Sequence, residues 1–280
     1  MKSCLTIPED IRRVYHLGID YNNNQEIDDR DMSRNDKELV KRLFREGNYF
    51  LIPSFFNLIR SLSACQREFS IVFRTFGNDM EEVINEFNLF CNGKHPLYNG
   101  KNKTEKFISN GELGTRNLTI NNNNIGCIKR NSETDCRVLI GSLGQSISEP
   151  SISGNNISFE IIGNSSNSYN MLFNKINESS SFAFIDDYSY WKQNQKDPKC
   201  GKLFLIDETI TSVHQIFFDD KIGNDSESIL DVRNIENRES LPFEKVINKF
   251  IFRCDPYKAI IDPDYFFKAV AECELNRIDN

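Results

Sequence analysis

The chain has 280 residues, enough for one large domain or two smaller ones, and its hydrophobic fraction of 39% is ordinary for a packed core. Its 34 basic and 41 acidic residues give a formal net charge of -7 without a dense run of Lys and Arg, so nucleic acid and an anionic membrane are not expected as partners. The eight cysteines form no CxxC pair, and the sequence shows neither a signal segment nor an apolar run of about 20 residues, so we expect a soluble, cytoplasmic protein with reduced thiols.

The N-terminal part of the chain alternates apolar strands with amphipathic helices. Residues 14–20 predict a buried strand that ends at Asp20 and runs into polar, turn-forming residues. Helical periodicity follows at 36–45 and 54–65. The apolar run 69–73 predicts a second strand, which leads through a short loop to a helix at 79–91. Two strand–loop–helix units favour a parallel sheet covered by helices.

The composition changes between residues 101 and 180, where Asn, Ser and Gly dominate. Short β-prone pieces at 117–120, 137–140 and 157–162 replace long helices there. We therefore expect an insertion in the form of a small, cap-like or loop-rich subdomain that is mostly β.

Beyond residue 180 the alternating pattern resumes. A strand is predicted at 181–185, directly before Asp186 and Asp187. Four more strands are predicted at 203–206, 213–218, 229–231 and 250–252, and a final helix is predicted at 263–277. The predicted fold class is α/β, a Rossmann-like parallel sheet with helices on both faces. Its core is formed by residues 14–100 and 181–280, and the segment 101–180 is inserted into it.

Polar residues stand where several predicted strands end. Asp20 follows the first strand, Thr75 follows the second, and Asp219 with Asp220 follows the strand at 213–218. The carboxyl ends of parallel strands meet at one edge of a sheet, and ligands bind at that edge. A single acid at a strand end is commonly only a helix cap, but several together indicate a site.

These segments resemble the motifs of the haloacid dehalogenase (HAD) superfamily. Residues 18–24, GIDYNNN, are similar to the first motif, an apolar strand followed by Asp-x-Asp-x-Thr. Residues 71–75, IVFRT, are similar to the second, which ends in Thr or Ser, and residues 216–220, IFFDD, are similar to the fourth, which ends in paired acids. Lys202 stands seventeen residues before Asp219, where the third motif places its lysine. The phrases FSIVFRTFG, NEFNLFCNGKHP, DDYSYW and IFFDDKI look like those of an uncharacterised eukaryotic branch of the superfamily with a degenerate first motif.

The resemblance implies a Mg²⁺-dependent phosphatase or phosphotransferase that acts on a small phosphorylated molecule or a phosphoprotein. Asp20 would attack phosphorus as the nucleophile. Lys202 and the hydroxyl of Thr75 would bind the phosphoryl group. The resemblance assigns the magnesium to hard oxygen ligands, namely the Asp20 carboxylate, the Asn22 backbone carbonyl and a carboxylate of Asp219 or Asp220.

Asn22 departs from the phosphatase pattern. Phosphatases of this superfamily carry a second Asp at that position, where it acts as a general acid and base, a role worth about 10²- to 10⁴-fold in rate. The Asn22 amide cannot donate a proton to the leaving oxygen or accept one from water. Asn24 is a second departure, because it lacks the hydroxyl of the motif's Thr. We therefore expect low activity.

Three alternatives stay open at this stage. Asp186 and Asp187 resemble a paired-acid motif as closely as Asp219 and Asp220 do. Lys192 and Lys199 are further candidates for the motif lysine. The chain could also be a catalytically inactive HAD-like protein that binds a protein partner through the inserted segment or an aromatic surface.

Overall fold

The computed structural model of the chain describes residues 33–44, 49–98, 118–141, 160–162, 181–226 and 228–278. These residues form two compact units built from alternating stretches of the chain. Unit 1 contains the described residues within 33–69, 77–119 and 257–264, and unit 2 contains those within 70–76, 120–256 and 265–278. The strand predicted at 14–20, with Asp20, and the following Asn22 lie outside the described residues.

The described elements follow the predicted order closely. The helices are α1 (Arg34–Leu43), α2 (Pro53–Ala64), α3 (Met80–Cys91), α4 (Tyr188–Gln193), α5 (Phe243–Val246), α6 (Pro256–Ile261) and α7 (Tyr265–Ile278). The strands are β1 (Ile71–Thr75), β2 (Ile125–Arg130), β3 (Cys136–Ile140), β4 (Glu160–Ile162), β5 (Ser181–Asp186), β6 (Lys202–Ile206), β7 (Phe217–Asp219), β8 (Leu230–Asn234) and β9 (Ile251–Arg253). Helices α2, α3 and α7 lie within two residues of their predicted bounds.

Helix α1 begins two residues earlier than its periodicity predicts, because a capping box fixes its start. The Ser33 hydroxyl accepts a hydrogen bond from the Asp36 N–H at 3.2 Å, and the Asp36 carboxylate accepts one from the Ser33 N–H at 3.3 Å. This pairing satisfies two N–H groups that a bare helix end would leave without partners. Val40 and Leu43 then bury the apolar face of the helix in unit 1.

A fully buried Glu86–His95 pair organises the core of unit 1. Glu86 Oε2 accepts hydrogen bonds from the backbone N–H groups of Phe50 and Leu51, at 2.6 and 3.3 Å. His95 Nδ1 accepts from two backbone N–H groups that follow it, at 3.2 Å each, so its ring proton lies on Nε2 and is donated to Glu86 Oε1 at 3.2 Å. Every polar atom of the pair is therefore satisfied, and His95 has a structural role.

Unit 2 contains a five-stranded sheet in the order β1-β5-β2-β3-β4. Strands β1, β5 and β2 are parallel, whereas β2–β3 and β3–β4 pair antiparallel. Gly126 permits the close approach of β2 and β3, because a Cβ at this position would lie 2.1 Å from the Leu139 carbonyl oxygen.

The antiparallel strands belong to this main sheet, since β2 also pairs with β5. The sequence predicted β3 and β4, at 137–140 and 157–162, as parts of an inserted subdomain, and it did not predict β2. The β-prone piece predicted at 117–120 was wrong, since residues 118–120 form no strand. Residues 99–117, 142–159 and 163–180 lie outside the described residues, so the insertion stays a prediction.

Two further parallel strand pairs, β6–β8 and β7–β9, complete the described strands of unit 2. One apolar cluster joins β6 to the five-stranded sheet through Leu203 and Leu205, which pack with Phe182 and Phe184 of β5. A second cluster surrounds Ile206, β8 and β9. Four of the six described strand pairings are parallel, so the chain is a mixed α/β protein with mostly parallel strands. Among the described helices, none has the length and apolar character needed to cross a bilayer.

Candidate functional site

Lys202 and Asp219, two of the residues that the sequence predicts to share a site, form a buried ion pair. Lys202 begins β6 and Asp219 ends β7, and the Lys202 Nζ lies 3.1 Å from Asp219 Oδ2. The two side chains are only 5% and 14% exposed. Lys202 Nζ also donates to the backbone carbonyl of Arg74 at 3.4 Å. The amino group thus links three segments that are far apart in sequence.

Thr75, the third predicted residue, follows that carbonyl directly and ends β1. It is paired with Ile185 of the adjacent parallel strand β5, so β1 and β5 end together at one edge of the sheet. Thr75 therefore lies one residue away from the contact made by Lys202. Of the three remaining predicted residues, Asp220 follows Asp219 directly, and Asp20 and Asn22 lie outside the described part of the chain.

Two aromatic rings border the Lys202 amino group. Its Nζ lies 5.4 Å from the centroid of the Phe76 ring and 5.7 Å from that of Phe217. Aromatic faces attract a cation and exclude water, which strengthens the interaction of Lys202 with Asp219. Lys192 and Lys199, the other two candidate lysines, have exposed side chains.

Asp219 and Asp220 concentrate negative charge at the end of β7. Asp219 Oδ1 accepts a hydrogen bond from the Lys221 N–H at 2.9 Å, so both of its carboxylate oxygens are engaged. Partial removal from water, followed by the contact with the Asp219 carboxyl, raises the pKa of Asp220 above its ordinary value. Burial and the same two acids raise the pKa of the Cys254 thiol to about 12, so this thiol stays protonated at neutral pH.

Asp186, the first residue of the competing acidic pair, is engaged by Arg74. The Arg74 guanidinium binds both oxygens of the Asp186 carboxylate, with Nε to Oδ2 at 3.0 Å, and its Nη1 donates to the Leu203 carbonyl at 2.8 Å. The Asp186 side chain is 3% exposed. This bidentate pair ties β1 to β5 and to β6, which is a structural role.

Asp187, the second residue of that pair, caps the next helix. Its carboxylate accepts hydrogen bonds from the N–H of Tyr190 in α4 at 3.1 Å and from the N–H of Arg130 at 3.3 Å. Asp186, Asp187 and Asp219 are all committed to such contacts, whereas Asp220 is exposed, so Asp220 is the acid best placed to meet a ligand.

The sequence interpretation did not identify a buried network that positions the start of β6. The Arg130 guanidinium donates to the Gly201 carbonyl and to Asp231 Oδ2, at 2.9 Å each. The Asp231 carboxylate also binds Arg233 Nε at 2.9 Å. These contacts hold the residue directly before Lys202. An arginine within a strand-forming run, such as Arg74 or Arg130, is a sequence signal for a buried ion pair, but the sequence does not show which acid is its partner.

The residues that could bind a divalent cation are fewer than such a site needs. Among the described residues, no group of three or more His, Cys, Asp or Glu side chains is placed to hold a metal ion. Asp219 and Asp220 supply two hard carboxylates, and a complete donor set would require Asp20 and Asn22 as well.

Comparison with known proteins finds no matching family model, curated protein or solved structure. The likeness to the HAD superfamily therefore rests on the sequence motifs.

Proposed function

We propose that the chain is a HAD-like phosphatase or phosphotransferase homologue with low activity. The observation that supports it is the contact of Lys202 with Asp219 and with the Arg74 carbonyl beside Thr75. The sequence motifs assign these three segments to one phosphate site. This arrangement suits the binding of a phosphoryl group, because a cation and a carboxylate meet beside a strand end and are largely shielded from water.

In this proposal each residue has a distinct task. Asp20 is the nucleophile: its carboxylate oxygen forms a bond to phosphorus while the P–O bond to the leaving group breaks, and water or an acceptor hydroxyl then takes the phosphoryl group and frees the carboxylate. The Lys202 amino group balances the negative charge of the transferred phosphoryl group, and the Thr75 hydroxyl donates a hydrogen bond to one of its oxygens. The substrate is a small phosphorylated molecule or a phosphoprotein.

The oxygen donors at the end of β7 fit a magnesium ion in chemical type. Partial burial and then the neighbouring Asp219 carboxyl raise the pKa of Asp220, and a divalent cation would relieve the repulsion between the two carboxylates. Asp219 and Asp220 would hold the ion together with Asp20 and the Asn22 carbonyl. When bound, Mg²⁺ supplies the positive charge that lets two anions approach each other.

The test is hydrolysis of p-nitrophenyl phosphate in the presence of Mg²⁺. We expect slow turnover by the natural chain and an increase of about 100-fold in Asn22→Asp, because a carboxyl group restores general acid and base help. Asp20→Asn is the matched control and removes the activity of both. Unchanged turnover in Asn22→Asp would contradict the role of Asn22 as the limiting defect, and turnover that survives Asp20→Asn would contradict the assigned nucleophile.

One observation favours a second candidate function, a catalytically inactive HAD-like binding protein. Lys202 already neutralises Asp219, and the second carboxylate oxygen of Asp219 is bound by a backbone N–H. A closed ion pair of this kind can stabilise a fold without a metal ion. This candidate predicts that neither the natural chain nor Asn22→Asp turns over the substrate, and that Mg²⁺ does not alter thermal unfolding.

A further inference from the structure

A cluster of aromatic side chains lies at the edge of the sheet where β1 and β5 end. Phe76 directly follows Thr75 at the end of β1, and Tyr188 and Trp191 belong to α4, which begins two residues after β5. Because β1 and β5 are adjacent and parallel, the segments that leave them emerge at the same edge. The aromatic cluster is therefore next to the proposed phosphate site.

The three rings contact one another in a defined arrangement. Phe76 stacks on Trp191, with a centroid separation of 5.0 Å and an interplanar angle of 10°. Tyr188 meets both rings edge-on, 5.9 Å from Phe76 and 6.0 Å from Trp191. The Phe76 ring also lies 5.4 Å from the Lys202 Nζ. A phosphoryl group at Lys202 would thus lie within about one ring diameter of this aromatic surface.

The members of the cluster differ in their exposure to solvent. Tyr188 is 42% exposed, which is high for a large aromatic residue in contact with a packed cluster. Trp191 is only 8% exposed, and its indole Nε1 has no hydrogen-bond acceptor among the described residues. The Nε1 atom itself is buried, so it is not a contact point for a ligand. The exposed Tyr188 ring, in edge-on contact with Phe76, is therefore the part of the cluster that a ligand can reach.

We propose that this cluster is the subsite for the organic part of the substrate, and that the substrate is an aryl phosphate ester. The aryl ring packs against Tyr188 and Phe76, and the buried Trp191 supports them from behind. The inference rests on the proposed phosphate site and adds the chemical class of its substrate.

The test is calorimetric titration of the full chain, in Mg²⁺, with three probes: inorganic phosphate, phenyl phosphate and cyclohexyl phosphate. We expect phenyl phosphate to bind about fivefold more tightly than cyclohexyl phosphate, as aromatic contact energies imply. Phenyl phosphate should also change the fluorescence of Trp191, the only tryptophan in the chain.

Tyr188→Leu keeps an apolar side chain but removes the ring, so it should abolish the preference and leave inorganic phosphate binding unchanged. Tyr257→Leu, at a tyrosine that is 57% exposed elsewhere in the chain, is the matched control and should preserve the preference. Equal binding of the two esters, with phosphate binding intact, would overturn the subsite. Failure of inorganic phosphate to bind while the esters still differ would overturn the phosphate site instead.

Discussion

At the residue scale, the clearest feature of unit 2 is that its buried charges are paired across long sequence separations. Arg74 binds Asp186, Lys202 binds Asp219, and Arg130 binds Asp231. Removing one partner of such a pair leaves an uncompensated charge away from water, and this costs far more than the pair itself contributes.

The Arg74–Asp186 pair gives the most direct stability prediction. Asp186→Asn leaves the Arg74 side chain, which is 10% exposed, without its carboxylate partner, so we expect a loss of about 3–5 kcal/mol in the free energy of unfolding. The neighbouring Asp187→Asn is the control, because asparagine also caps helices and the expected loss is under about 1 kcal/mol. Urea denaturation measures both. Similar losses in the two variants would contradict the structural role assigned to Asp186.

The Asp219–Asp220 pair makes a prediction about pH. The pKa of Asp220 is raised, so its protonated form contributes stability below the ordinary aspartate pKa, and this contribution is lost as the pH rises through the raised value. Asp219→Asn removes the neighbouring charge and should move the Asp220 pKa downward. Carboxyl-carbon NMR titration measures the shift, and Asp225→Asn, at a nearby exposed acid, should change it little. An unchanged or higher pKa in Asp219→Asn would show that the two carboxyl groups do not interact.

At the scale of elements, the start of β6 is fixed by backbone contacts that only glycine permits. A Cβ at Gly201 would lie 2.3 Å from the Ile229 carbonyl oxygen, and the Lys202 N–H donates to that same oxygen at 2.7 Å. A side chain at this position must push β6 away from β8.

Gly201→Ala should therefore destabilise the chain by about 1–3 kcal/mol and displace Lys202 from Asp219. Gly223→Ala is the matched control, because the nearest atom to its added Cβ is a flexible Asp225 carboxylate oxygen at 3.1 Å. Thermal unfolding of the two variants checks the difference. Equal melting temperatures would contradict the tight β6–β8 approach.

Much of the element pattern could be predicted from hydrophobic periodicity, whereas strand lengths and pairings could not. The strand predicted at 213–218 is shorter in the structure, Phe217–Asp219, because residues 211–213 are exposed and His214 instead contacts the Lys249 carbonyl at 2.6 Å. The apolar run alone does not distinguish a strand from an extended segment beside one. The parallel pairing of β2 with β5 was missed for a related reason, since local patterns carry no information on which distant strand becomes a neighbour.

The proximity of two candidate site residues could be predicted, whereas their function stays a prediction. The spacing of Lys202 and Asp219 led to a pair that the structure brings to 3.1 Å. The roles of Arg74 and Arg130 were not predicted, because their partners lie 112 and 101 residues away and a single sequence does not show which acid a buried arginine will meet.

At the scale of the whole molecule, the described residues of the proposed site come from two separate stretches of unit 2. The ends of β1 and β7, the start of β6 and the aromatic cluster after β5 are all within this unit. The chain passes between the two units at residues 69–70, 76–77, 119–120, 256–257 and 264–265, so neither unit is a continuous segment. Experiments on the site therefore require the full chain.

The central claim is that a phosphoryl group binds beside Lys202 and Thr75, within reach of Asp20 and of the acids at the end of β7. The most direct measurement is a crystal structure of the full chain soaked with Mg²⁺ and beryllofluoride, a mimic of an aspartyl phosphate. The account predicts beryllofluoride on the Asp20 carboxylate, with its fluorines contacting Lys202 and Thr75 and the metal ion bound by Asp219 or Asp220. Electron density that shows neither group, with the Lys202–Asp219 ion pair still closed, would contradict it.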